Sequence, residues 1–374
     1  MKGFIVPGIA SRYQQVLPLL ESVVGRGWPG AQIQFYRFGT IIEDLPDRKY
    51  LDSQKPQFYV DNRVSRETLI QNVIDRAATN NLTIIVTDLF QTDVDVNLIT
   101  SKIKEKYLAN GFAVGVLALR SEFSGEIFDV GPNNYHFTYN SDSANTSTFR
   151  PFYVLALGNH ADVSNYFDQV LKLPLANQAA AQAVVFSPWI TEKVASFDGS
   201  AITEISKLQE VRNLVPTDAA SDPIKQFRIM DSAAPLASFD AKLDYKPLPY
   251  TMPVSSSELG SEITAFTCGP DVLHESNDAQ RAFSIKEARL NESTLDFKAE
   301  IVPSFVPGAG TYCFRVILFP KTYKTPDWFS ELNMTSEQVE ASIRNPTHFN
   351  GSQLPILINL ATSWQRKEKG IGPT

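Results

Sequence analysis

Asp88 closes the stretch Thr83-Ile-Ile-Val-Thr-Asp-Leu-Phe90, where an apolar run ends on a hydroxyl, Thr87, and then a carboxylate. Oxygen donors at the end of a buried strand suit a divalent cation or a water held for hydrolysis. Asp93-Val-Asp-Val-Asn97 follows closely. As a calcium loop it fails, because Leu98 stands where a glycine must turn the chain and Lys104 replaces the closing glutamate. A solvated loop that caps the next helix is the plainer reading. His160 lies in Leu157-Gly-Asn-His-Ala-Asp162, after a second apolar run, and is one of four histidines with His136, His274 and His348. Two-metal phosphoester hydrolysis needs several histidines and carboxylates converging on the ions. No Asp-x-His or Gly-His-x-His pattern supplies them, so a helix-start histidine beside a capping Asp162 is the simpler expectation. No Gly-x-Ser-x-Gly elbow, Walker loop or dinucleotide fingerprint occurs, and acyl transfer has no nucleophile with a base.

The composition narrows the partners. The 374 residues imply two domains, and a hydrophobic content of 43% with 20% charged residues is that of a globular protein. Net charge is −7 and no stretch concentrates Lys and Arg, which speaks against a nucleic-acid or anionic-membrane surface. Even the basic tail Arg366-Lys-Glu-Lys369 is interrupted by an acid. Cys268 and Cys313 are too few for a disulfide framework or a four-cysteine zinc site. Two free or buried thiols are expected, with one inter-strand bridge as the alternative. No apolar run approaches the ~18 residues of a membrane span, and no signal peptide precedes the first helix. A cytoplasmic setting is favoured, or the cell envelope if an upstream segment exists.

The elements that must position Asp88 alternate in type. Tyr13, Val16, Leu17, Leu20, Val23 and Val24 share one face of a helix that begins at Ser11. Ile33 to Phe38 reads as a strand closed by Gly39. Ser65 is expected to cap a helix carrying Leu69, Ile70, Val73 and Ile74. Another helix runs from about Val96 to Leu108. Phe112 to Leu119 and Phe152 to Leu157 are apolar on both faces, as interior parallel strands covered by helices would be. The Asn-, Ser- and Gly-rich segment between Arg120 and Arg150 reads as a hairpin insertion. Beyond Ala176 the period becomes 2. Ala237, Phe239, Ala241, Leu243 and Tyr245 alternate with Ser238, Asp240, Lys242, Asp244 and Lys246. The expected fold is therefore a doubly wound, mostly parallel α/β domain over residues 1–175, followed by a β-rich, sandwich-like domain over 176–374. Trp189, Trp328 and Trp364 are expected to pack in the core or between domains.

The first 170 residues resemble a von Willebrand factor A-like domain of the type found in bacterial proteins. Thr87-Asp88 matches the family's strand-ending Thr-Asp pair. Thr68, in Arg66-Glu-Thr-Leu-Ile70, matches its second-loop threonine, and Met1-Lys-Gly-Phe4 resembles the residues after its Asp-x-Ser-x-Ser triplet. Ser121 to Val130 and Arg150 to Gly158 resemble a bacterial variant of that family. The resemblance implies a cation (Mg²⁺, or Mn²⁺ or Ca²⁺) held in part by Thr68 and Asp88, with Gln91, Asp93 and Asp95 as flanking contacts. It also implies that a partner's carboxylate completes the coordination. The triplet itself would lie before Met1. The family's central first strand would then come from upstream residues or from a partner. In a rival reading, Gly3-Phe-Ile-Val6 is that strand.

The expectation is a non-enzymatic interaction protein that recognises a protein partner, without nucleic acid and without a membrane span. Two alternatives are kept. One is a metal-dependent phosphoesterase using Asp88, Asp93 and His160, and the other is a structural scaffold with a degenerate metal site.

Overall fold

The computed structural model describes residues 1–89, 96–130, 135–191, 202–206, 208–214, 224–229, 236–244, 246–252, 259–268, 273–291, 294–305, 312–320, 326 and 328. They group into two compact units, Met1–Pro188 with Pro249–Met252, and Trp189–Leu248 with Pro253–Lys324.

The first unit opens with a 3-10 turn, Lys2–Phe4, and then α1, Arg12–Gly27. Gly3 and Phe4 are thus not in a strand, which removes the rival reading of the N-terminus. Ser11 starts α1 through a capping box. Its Oγ accepts from the Gln14 amide, and Gln14 Oε1 accepts from the Ser11 amide at 3.0 Å. Pro18 sits inside this helix and has no N–H for the Gln14 carbonyl. The Gln54 side-chain amide donates to that carbonyl instead. The buried stripe is Tyr13, Val16, Leu17, Leu20 and Val23.

Next comes a hairpin of β1, Phe35–Phe38, and β2, Ile42–Leu45. A short helix α2, Asn62–Ser65, precedes α3, Ile70–Arg76. Ser65 ends α2 rather than capping the longer helix, and residues 66–69 bridge the two without helical structure. Then follow β3, Thr83–Thr87, α4, Val96–Lys106, and β4, Ala113–Ser121. The hairpin β5, Ser124–Val130, with β6, Tyr135–Asn140, leads to β7, Arg150–Gly158. The unit closes with α5, His160–Leu171, α6, Pro174–Gln178, and β8, Gln182–Phe186.

The sheet order is β3-β7-β4-β8, and among the described residues every ladder between named strands is antiparallel. The expected doubly wound, mostly parallel sheet is therefore wrong. β3 and β4 do run the same way and are joined through α4, but β7 lies between them, antiparallel to both. Burial of both strand faces does not report parallel pairing. It reports only that both faces are covered. Ala113, Leu117, Leu119, Phe152, Val154 and Ala156 pack with α1 and α5, while the alternate residues Val114, Val116, Leu155 and Leu157 are equally buried. Gly115 lets α5 approach closely, because a Cβ there would fall 2.6 Å from Phe167 and Val163.

In the second unit, β9, Ile202–Ser206, belongs to a four-stranded sheet. The hairpin β10, Leu208–Leu214, with β11, Ile224–Ile229, follows. β12, Ala237–Asp244, buries the alternating set Ala237, Phe239, Ala241 and Leu243. β13, Leu259–Cys268, pairs with β14, Leu273–Glu275, which leads into α7, Asn277–Gln280. β15, Phe283–Leu290, and β16, Thr294–Ile301, complete the order β15-β16-β12-β9. β17, Tyr312–Pro320, pairs with β13. Cys313 is disulfide-bonded, so the expectation of free thiols does not hold; the chain's other cysteine is Cys268. Trp189 is 53% exposed rather than packed in a core. No helix among the described residues is long and apolar enough to cross a membrane.

Candidate functional site

Among the described residues, β3 is the outermost strand of its sheet, and β1 pairs with β2 alone. Between them lies a cleft of about 1810 Å³. Its lining includes residues 34–39 on the β1 side and residues 80–88 on the β3 side. Tyr13, Leu17, Leu20 and Val24 line it from α1, Val73 and Arg76 from α3, and Ala77 from just beyond it. β3 is apolar enough for an interior strand, yet Ile84 and Val86 stay only partly buried, unlike every position of β7. Ile33 and Tyr36 remain 39% and 40% exposed on the other side.

The carboxyl end of β3 carries the polar groups. Asp88 accepts the Met1 ammonium at 2.6 Å. Thr87 Oγ1 accepts the Leu89 amide at 3.0 Å, and Leu89 is buried with φ of 57°, a left-handed backbone unusual for leucine. That turn follows directly on Asp88. Tyr13 and Tyr59 hydroxyls meet at 2.9 Å, and Tyr59 donates to the Ser53 carbonyl at 3.0 Å. Burial pushes the Tyr13 phenol up to about 12 and also raises Tyr59 well above the ordinary phenol value, with the Asp88 charge adding to both. Both therefore stay protonated donors, not bases.

Arg150, the first residue of β7, also lines the cleft and is only 4% exposed. Its guanidinium lies 5.9 Å from the Phe123 ring and makes no hydrogen bond or ion pair with a described residue. Burial lowers its pKa, and the phenols of Tyr153 and Tyr139 and the Asp88 carboxylate oppose that shift. On the β1 wall, Arg37 pairs with Glu43 and, at 2.8 Å, with Asp61. Asp61 caps α2 and is held at about 2, chiefly by the Arg63 side chain and amide, with Arg37 assisting.

Thr68 and Asp88, the two expected ligands, both line this cleft. Thr68 lies in the non-helical bridge before α3. Gln91, Asp93 and Asp95 lie outside the described residues. Among the described residues no three His, Cys, Asp or Glu side chains converge on a common point. One threonine and one carboxylate already holding an ammonium fall short of the six or more oxygens that Mg²⁺ or Ca²⁺ requires. The described residues therefore do not fit a cation site.

His160 is not brought to Asp88. β3 and β7 are antiparallel, with Thr87 opposite Tyr153 and Thr83 opposite Leu157. Asp88 thus sits at the start of β7, whereas His160 follows its end, roughly 20 Å away at the rise of a strand. Asn159 is the residue that caps α5, through the Asp162 amide at 2.8 Å. Asp162 Oδ1 accepts the Trp28 indole N–H at 2.9 Å. The sequence reading missed Arg150 and the Tyr13–Tyr59 pair. The visible signal for Arg150 was a lone cation heading the apolar run Pro151 to Leu157.

No family model, curated protein or solved structure matches this chain.

Proposed function

We propose that this protein is a non-enzymatic binding module that holds a protein partner in the cleft between β1 and β3. The observation that carries the reading is the cleft itself, a channel of mixed apolar and charged lining flanked by the outer edges of two sheets. Its volume of about 1810 Å³ exceeds the roughly 300–1,000 Å³ of small-molecule pockets, which favours a polypeptide occupant. The titratable groups at its end are an ion-paired carboxylate, two phenols with raised pKa values and a buried guanidinium. That set offers donors and charge for recognition but pairs no nucleophile with a base. The roughly 20 Å between Asp88 and His160 speaks against the phosphoesterase alternative. Under the scaffold alternative, changes to cleft residues leave partner binding untouched.

The test is site-specific photo-crosslinking in cells that make the protein. A crosslinking residue is placed at Ile84 or Tyr36, with a control at exposed Lys172. Polypeptide adducts of one defined mass from Ile84 and Tyr36, but not from Lys172, are expected. A small-molecule adduct, or labelling equal to the control, overturns the proposal.

A further inference from the structure

We infer that the occupant is one extended polypeptide segment, supplied by the partner, which enters the cleft as a strand between β1 and β3 and sets a carboxylate against Arg150. The inference rests on the binding reading above and names the partner's form.

Three observations converge. First, β1 and β3 each present an edge for which no ladder is recorded among the described residues; β1 pairs with β2 and β3 with β7. A sheet edge displays alternating N–H and C=O groups, and an added strand satisfies them through main-chain hydrogen bonds. A folded domain or a helix cannot do this for two facing edges at once. Second, the volume suffices. From strand rise, strand spacing and layer thickness, a five-residue strand with its side chains fills roughly 800 Å³. The cleft, at about 1810 Å³, admits such a strand with room to spare. Leu17 and Leu20 of α1 and Val73 of α3 line the same space, so apolar side chains of the segment find apolar partners there.

Third, the cleft has a charged end. Arg150 is buried, faces the cleft and lacks a hydrogen-bonded anion among the described residues. Asp88 acts on it through space but makes its short contact with the Met1 ammonium at 2.6 Å. The Arg150 nitrogens open to the cleft rather than being sealed without a partner, and a carboxylate from the incoming strand supplies a charge-assisted acceptor there. An acidic side chain at the end of the segment near Arg150 is therefore specified.

The probe is a synthetic peptide of the β4 sequence Ala113–Leu119, with an aspartate at one end and two lysines at the other, in both orientations. It is added to the intact protein while backbone amide exchange is followed. One orientation is expected to bind, and to slow alternate amides in both Phe35–Phe38 and Thr83–Thr87. A version with two central prolines, which lack the donors a ladder needs, is expected not to bind. Replacing the aspartate by asparagine is expected to weaken binding about tenfold, a charge-assisted hydrogen bond's worth. In Arg150→Gln that difference should vanish. Binding without slowed amides in both strands overturns the strand inference and leaves the cleft reading intact. An equal loss for the asparagine peptide in Arg150→Gln removes Arg150 from it. Failure of both orientations, while Ile84 and Tyr36 still crosslink a polypeptide, rejects the strand alone. Failure with no crosslink rejects both readings.

Discussion

Asp61 shows how one carboxylate ties the cleft wall together. It caps α2 and accepts from Arg37 on β1, and Arg63 contributes most to holding it at about 2 against an ordinary 3.8. A carboxylate with a depressed folded-state pKa stabilises the native state at pH above the unfolded value, and that contribution is lost as pH falls through the folded value. The window here is pH 4 to 2. Thermal midpoints of the protein and of Asp61→Asn should differ at pH 5 to 6 and converge near pH 2. A gap that persists unchanged to pH 2 would show that the cap acts without its charge. Arg150 and Asp88 differ from Asp61 in being set inside the cleft. The sequence singled out Asp88 because an acid ended an apolar run. It did not single out Arg150, whose significance comes from what lies around it and not from its neighbours in the chain.

Among elements, β4 and β7 show what hydrophobic pattern can and cannot convey. Their uninterrupted apolar residues marked them as strands covered on both faces, and both are. Strand direction is not written in that pattern, because side-chain alternation is the same for parallel and antiparallel neighbours. Here β7 enters between β3 and β4, which places His160 at the opposite end of the sheet from Asp88. The close seating of α5 on β4 depends on Gly115. Gly115→Ala puts a methyl 2.6 Å from Phe167 and Val163, and overpacking of this kind costs about 1–3 kcal/mol. Urea denaturation followed by far-ultraviolet circular dichroism measures it. A loss under about 0.5 kcal/mol would mean that α5 shifts freely, since surface-like tolerance is of that size.

At the scale of the whole chain, two units carry separate hydrophobic clusters. One gathers α1 and α5 on the β3-β7-β4-β8 sheet, and the others lie along β12, β15 and β16. The disulfide at Cys313 lies on β17, in the second unit. Reduction with dithiothreitol should therefore speed amide exchange in β13 and β17 and leave β4 and β7 unchanged. Equal loss of protection in all four strands would show that the units do not open independently.

Composition and local pattern alone determined much of this protein. They marked α1 by its 3.6-residue stripe, and the strand over Thr83–Phe90 and the alternating run from Ala237 by their apolar periods. They also marked Asp88 as a carboxylate at a strand end. These features are set by neighbours a few residues apart, so they survive in a one-dimensional reading. Only the tertiary structure decided strand order, the antiparallel sense of each ladder and the cleft between β1 and β3. It alone put Arg150 beside the end of β3. Those depend on which distant segments pair, and pairing is chosen by packing over the whole unit rather than by any local run of residues.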